Sequence, residues 1–243
     1  MTNPVIIRVV GIGMGLQHVT PEAAAALRAS AYVVAAAKRA DDPLLAVRRA
    51  VCEAHGLELV AVPDPERDRD GPADYPGAVR DWHAARAAAW ADAITERDGD
   101  PAFLVWGDPA LYDSTIRVVD AVAERLGASV EVVAGVSAPQ LLAARHRVVL
   151  HEVGQPVHIT TERRLRADVE AGQRNLVVML TSGAALAGLD DWSVWWGANL
   201  GAAGEALVAG RVGDVAASIE TARERSRAEA GWVMDLYLLR APA

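Results

Sequence analysis

The chain has 243 residues, with 24 Lys and Arg against 32 Asp and Glu, a net charge of −8. That acidity excludes a general nucleic-acid binder, which needs a basic surface, while the length allows one large domain or two smaller ones. The single cysteine, Cys52, excludes an internal disulfide and suits a reducing compartment. No run of about 18 apolar residues signals a membrane span, and the N-terminus lacks a secretory pattern, so a cytoplasmic protein is expected.

Val5 to Val10 is β-branched, short and stopped by Gly11, which predicts a buried strand. Gly11-Ile12-Gly13-Met14-Gly15 follows as a tight loop. Thr20-Pro21-Glu22 reads as a helix start, with Thr as N-cap and Pro at the first helical position; this helix runs to about Ser30, and Ala31 to Ala35 is the next strand. Strand, loop, helix, strand is the signature of a parallel sheet. The pattern continues with a helix at Pro43 to Ala54 and a strand at Leu57 to Val62. A polar loop at Asp64 to Pro76 leads into a long helix at Ala78 to Arg97, and a strand at Ala102 to Trp106 follows. Ser114 to Leu126 is helical and Val130 to Val133 is a strand. The sequence divides there, into 1–133 and 134–243. The second region carries a helix at Ala138 to His146 and strands at Val157 to Ile159, Leu176 to Leu180 and Trp192 to Trp196. A helix at Asp214 to Ala228 and a closing strand at Trp232 to Leu239 complete it.

Three glycine turns follow strands. Gly11-x-Gly13-x-Gly15 stands where a dinucleotide fold places its phosphate loop, yet a third glycine is missing at Gln17 or His18. The second strand ends in Ala37-Lys38 with no acid for a ribose hydroxyl, which disfavours a nicotinamide dinucleotide. A plain βα turn and a ligand loop both remain open. Gly107-Asp108-Pro109-Ala110-Leu111-Tyr112 lies at the carboxyl edge of a parallel sheet, where ligands bind in open α/β folds; Asp108 is expected either to cap a helix or to meet a ligand. Asp113 and Arg117, four apart, suggest an ion pair on a helix surface. Gly135-Val136-Ser137-Ala138 is either a helix start or a ligand loop. His146, His151 and His158 have no zinc spacing, and with one cysteine no metal site is expected. Arg145, Arg147, Arg163, Arg164 and Arg166 form basic runs, read either as solvated surface or as a carboxylate-recognising rim.

Val10 to Gly15, Trp106-Gly107-Asp108-Pro109-Ala110-Leu111-Tyr112-Asp113-Ser114-Thr115 and Ala134-Gly135-Val136-Ser137-Ala138-Pro139-Gln140 come in the order and spacing of the tetrapyrrole methylases. The chain resembles these class III S-adenosylmethionine-dependent methyltransferases over nearly its whole length. Ile159-Thr160-Thr161, Trp196-Gly197-Ala198 with Leu200-Gly201, and Gly231 to Arg240 are similar to the family's deacetylating branch. That branch methylates C-1 of precorrin-5 and releases acetate on the way to cobalamin. Two positions depart from the family pattern. The first loop, Gly13-Met14-Gly15-Leu16-Gln17-His18, is one residue shorter than usual, and Ala134 replaces the proline of the third turn.

The resemblance implies an α/β fold of two αβα domains with a ligand trough between them, assembled as a homodimer. It implies S-adenosyl-L-methionine as cofactor, S-adenosyl-L-homocysteine as its product, and a tetrapyrrole substrate. Carried over residue by residue, Gly107, Asp108, Leu111, Tyr112, Ser137, Ala138, Leu180, Ala198 and Val233 contact the cofactor, and Gly11, Gly13 and Gly15 face the tetrapyrrole. Asp113 and His18 become candidates for activating the water that releases acetate. Arg145, Arg147, Arg163 and Arg164 become candidates for binding substrate carboxylates, a local basic rim that an acidic protein would need. Methyl transfer to an electron-rich ring carbon demands alignment more than a strong base, which fits a sequence without an obvious one. A methylase acting at another ring carbon, a nicotinamide-dependent oxidoreductase and a non-catalytic tetrapyrrole carrier are the alternatives.

Overall fold

The computed structural model describes residues 4–37, 43–66, 75–183 and 186–242. Lys38 and most of the expected polar loop, residues 67–74, lie outside them. The chain divides into two compact units, Met1–Val136 and Ser137–Ala243.

The first unit is a five-stranded sheet in which every neighbouring pair is parallel. Its strands are β1 (Ile6–Gly11), β2 (Tyr32–Ala37), β3 (Glu58–Pro63), β4 (Pro101–Val105) and β5 (Ser129–Val133), in the order β3-β2-β4-β1-β5. The crossovers include α1 (Pro21–Arg28), α2 (Pro43–His55), α3 (Tyr75–Thr95) and α4 (Thr115–Leu126). Residue parity separates the two faces. Ile7, Val9, Val34, Phe103 and Val105 pack with Trp90 and Ile94 of α3 and Val118 and Val122 of α4. Val10, Val33, Ala102 and Leu104 pack with Ala23 and Leu27 of α1 and Val51 and Cys52 of α2. A strand buried on both faces carries continuous apolar runs, which is why β1, β2 and β4 were readable. Thr20 caps α1 as its sequence predicts, its Oγ1 accepting from Ala23 N at 3.1 Å.

The exception within β1 is Arg8, only 7% exposed. Its Nη1 donates to Asp100 at 3.1 Å and to the Ala29 carbonyl at 3.1 Å, and its Nε to Glu131 at 2.9 Å. Asp100 also accepts from Ile6 N at 2.9 Å, so one buried cation ties three crossings together at the amino end of the sheet.

The second unit is mixed rather than parallel. β6 (His158–Thr161), β7 (Asn175–Met179), β8 (Ser193–Ala198), β9 (Ala206–Arg211) and β10 (Asp235–Arg240) lie in the order β6-β7-β10-β8-β9. Only β6 and β7 pair in parallel; the remaining pairs are antiparallel. The helices α5 (Ala138–His146), α6 (Leu165–Glu170) and α7 (Val212–Ala230) accompany this sheet. Leu165 of α6 and Ile219 and Ala222 of α7 bury one face with Leu176, Val178, Trp196, Tyr237 and Leu239. Helix α5 packs against β8 and β10.

Three expectations need correction. Strand β9 and helix α6 have no counterpart in the sequence reading. β9 is an alanine- and glycine-containing edge strand with little burial, so it lacks the apolar alternation that marks a strand. The closing strand starts at Asp235 instead of Trp232, because the preceding residues are held by a side chain described below. Helix α3 begins at Tyr75, three residues before the expected start at Ala78. Among the described residues no helix is long and apolar enough to cross a membrane.

Candidate active site

Three adjacent strands of the first unit, β4, β1 and β5, each run into a glycine at their carboxyl ends. Gly107 N donates to Gly13 O at 2.7 Å, Gly13 N to Gly107 O at 3.2 Å, and Ile12 N to Val105 O at 2.9 Å, which extends the ladder beyond the strands. A Cβ on Gly11 would stand 2.6 Å from Gly135 N, and one on Gly135 would stand 2.1 Å from Gly107 O. Real side-chain carbons do not approach backbone so closely, so these glycines exist to let three turns touch backbone to backbone. Gly13 also takes φ +62°, and a Cβ there would meet the His18 Cβ at 2.3 Å. Gly15 is extended and only half-buried, ahead of a 3-10 turn at Leu16–His18.

Asp108 locks the same edge. Its Oδ2 accepts from Gly135 N at 2.9 Å and its Oδ1 from Ala110 N at 2.8 Å. It does not cap a helix, because α4 begins only at Thr115. The segment between is a turn in which Leu111 N reaches Asp108 O at 3.2 Å. Tyr112 then adopts φ 50°, a strained conformation for a bulky residue, and is 45% exposed. Asp113 corrects another expectation. It precedes α4, and its Oδ1 accepts from Thr115 N at 2.6 Å, so it is a local cap and forms no ion pair with Arg117.

In the second unit, Ser137 is the N-cap of α5. Gln140 Oε1 accepts from its backbone N at 2.9 Å and its hydroxyl at 3.0 Å, which makes Ser137-Ala138 a helix start. Leu180, Ala198 and Val233 gather at one end of the sheet, where β7 and β8 finish and β10 starts. Leu180 has φ 53° and is 64% exposed, another large apolar side chain displayed by strained backbone.

Two residues missed by the sequence reading build this end. Asn199, fully buried at φ 48°, bonds Met234 twice, through its N to Met234 O at 2.9 Å and from Met234 N to its Oδ1 at 2.8 Å. Its Nδ2 donates to Trp232 O at 3.2 Å. Asp235 accepts from Thr181 Oγ1 at 2.5 Å, Trp196 Nε1 at 3.0 Å and Arg223 Nε at 3.1 Å. The only signal available was the Trp-Gly-Ala-Asn and Val-Met-Asp segments themselves, since nothing in their spacing says that they meet.

The basic rim is only partly available. Arg145 bonds Glu205 at 2.7 Å, Arg164 bonds Asp168 at 3.1 Å, and Arg166 bonds the Ala187 carbonyl. Arg147 is exposed at the C-cap of α5 in the left-handed conformation, and Arg163 is exposed in the turn before α6. Asp168 is buried among Thr160, His158 and Arg164, and the Thr160 hydroxyl bond, at 2.5 Å, is the main cause of its carboxyl lying below the usual range. His146 bonds the Trp196 carbonyl at 2.9 Å. Among the described residues no group of three or more His, Cys, Asp or Glu is placed to hold a metal.

The family model for tetrapyrrole (corrin/porphyrin) methylases matches residues 7–216. The chain belongs to this family. As a tetrapyrrole methylase it is a methyltransferase, which removes the oxidoreductase alternative. A curated relative, the precorrin-6A synthase [deacetylating] of Sinorhizobium sp, is 38% identical over 250 residues, covering 98% of this chain and 95% of its own. The crystal structure of a cobalamin-synthesis-related protein (CobF) from Corynebacterium diphtheriae is 38% identical, with TM-score 0.82, over 97% of this methylase and 98% of that chain. The uroporphyrin-III C-methyltransferase of Thermus thermophilus shares the fold at 21% identity and TM-score 0.61, over 97% and 92% of the two chains.

Proposed function

We propose that the chain is a deacetylating precorrin-6A synthase, which methylates C-1 of precorrin-5 and releases acetate in cobalamin biosynthesis. The observation that carries this reading is the 38% identity to a precorrin-6A synthase across 98% of the chain. The sheet edges fit the chemistry. They display backbone and apolar groups, which suit the alignment of a donor with a ring carbon.

S-adenosyl-L-methionine supplies an activated methyl group on its sulfonium. Gly107, Asp108, Leu111 and Tyr112 would hold it from the first unit. Asp108 acts there by fixing the turn, since both its oxygens are engaged by backbone N–H groups. Ser137, Ala138, Leu180, Ala198 and Val233 are the contacts assigned to the second unit, with the exposed Leu180 side chain suited to an adenine face. Among the turn glycines, Gly15 is half-buried, whereas Gly11 and Gly13 are buried and shape the edge. Arg147 is the stronger rim candidate for substrate carboxylates, because Arg145 and Arg164 are bonded to acids; Arg163 is exposed in the turn before α6. Asp113 and His18 are the candidates for activating water. The enzyme is assigned to the cytoplasm as a homodimer of two-domain chains, a state that light scattering would read directly.

The decisive experiment incubates the protein with precorrin-5 and methyl-labelled cofactor and analyses the products by mass spectrometry. One labelled methyl gained with acetate released is the expected result. A methyl gained without acetate would assign the chain to another step of the family, and binding of the tetrapyrrole without methyl transfer would make it a carrier.

A further inference from the structure

We propose that Glu162 is a positioning residue for the cofactor: it latches the turn that follows β7 and so holds the Leu180 side chain in place to face the adenine. This inference rests on the cofactor reading above. Leu180 is what has to be explained. A bulky residue at φ 53° is strained backbone, and such strain persists only where the surroundings hold it. Leu180 is also 64% exposed, so burial does not offset the strain.

Two carboxylates grip the residues that follow it. Parallel β6 and β7 pair Thr161 with Met179, so Glu162 and Leu180 leave the sheet side by side. Glu162 Oε2 then accepts from Ser182 N at 2.7 Å and from the Ser182 hydroxyl at 2.6 Å. On the other side of β7, antiparallel β10 pairs Tyr237 with Val178, which brings Asp235 level with Leu180. Asp235 Oδ1 accepts from Thr181 Oγ1 at 2.5 Å. The two acids differ in role. Asp235 is 5% exposed and also carries Trp196 and Arg223, so it belongs to the core. Glu162 is half-buried in the short turn before α6, and what it grips is the exposed Ser182.

A carboxylate that accepts a backbone N–H and a hydroxyl from one residue fixes a turn in both position and orientation, and such charge-assisted bonds are the strong ones. Releasing Ser182 frees Leu180 to relax to negative φ, which re-aims its side chain. The core is untouched, because Asp235 still holds Thr181. What is lost is preorganisation: the cofactor then has to order the turn as it binds. That cost falls equally on the bound ground state and the transition state. It therefore raises KM for the methyl donor and leaves kcat.

The test measures binding of S-adenosyl-L-methionine and of S-adenosyl-L-homocysteine to the full chain by calorimetry, with methyl-transfer kinetics beside it. Glu162→Ala is expected to weaken both ligands about tenfold. KM for the methyl donor should rise by a similar factor, with kcat within about threefold of wild type. Glu162→Gln keeps an oxygen for Ser182 and should recover most of the loss. Leu180→Gly takes φ 53° without strain and should itself weaken binding. Glu162→Ala should then add little to it, since no side chain remains to be placed. Effects that multiply in the double variant, or lower stability in urea with unchanged affinity, would overturn the assignment and leave Glu162 structural. A loss confined to the sulfonium ligand would also overturn it, because Glu162 would then act by charge. Unchanged affinity in Leu180→Gly alone would instead overturn the cofactor reading of Leu180 on which the latch depends.

Discussion

The two units build the ends of their sheets by opposite means. In the first, three parallel strands end in glycines whose backbones touch, and one carboxylate, Asp108, ties the turns. In the second, the strands are mostly antiparallel and the corresponding end is held by buried polar side chains, Asn199 and Asp235. Backbone contact leaves no adjustable atoms, so it is rigid and intolerant of even a methyl group. A polar network is equally rigid only while every partner is present, because an unpaired group in a low-dielectric interior is costly.

The largest effect should come from breaking the polar end. Asp235→Ala leaves Arg223, buried and charged, without its partner and Trp196 without an acceptor. A loss of about 4 kcal/mol is expected in urea unfolding. The Asp235→Leu, Arg223→Leu pair should recover the part of the loss that comes from the stranded Arg223 charge, while Trp196 Nε1 still lacks its acceptor. Gly135→Ala breaks the backbone end. Its Cβ would stand 2.1 Å from Gly107 O, where nothing flexible can yield, and about 3 kcal/mol should be lost. Gly183→Ala, with nothing within 4 Å, is the control that should be near neutral.

Asn199→Ala removes the bonds to Met234 and Trp232. It should cost about 2 kcal/mol and weaken cofactor binding measured by calorimetry, since the released segment includes Val233. Unchanged cofactor affinity at that stability loss would remove Val233 from the cofactor site.

Smaller still is the pH dependence at Asp168. Its folded carboxyl lies below its ordinary value, chiefly through the Thr160 hydroxyl. Its stabilising contribution is therefore complete above the unfolded pKa of about 3.9 and lost as pH falls through the folded value. Wild type should lose stability in acid more steeply than Asp168→Asn below about pH 4. The smallest effect is kinetic. Cys52 is buried and its thiol is pushed up to about 11. At neutral pH it should resist alkylation in the folded protein and label only as fast as the first unit opens.

The first unit was far more legible than the second. Continuous apolar runs in β1, β2 and β4 and the Thr20-Pro21 cap are local signals, and the structure follows them. The second unit's edge strand β9 buries too little to leave a pattern, and the short helix α6 follows a basic turn with little amphipathic signal. Asp113 shows the same limit within the site. Four-residue spacing to Arg117 suggested a helical pair, but the helix starts two residues later and the carboxylate caps it instead.

The sequence by itself determined the βα alternation of the first unit, its glycine turns in their order, and the family to which those turns belong, because each depends on residues adjacent along the chain. Only the tertiary structure decided what the glycines are for, that Asp108 bonds Gly135 rather than capping a helix, and that Asn199 and Asp235 hold the other end. Those contacts join residues far apart along the chain, Gly13 with Gly107, Asp108 with Gly135, Asn199 with Met234 and Thr181 with Asp235. Their energies come from burial and desolvation, which exist only once distant strands lie side by side.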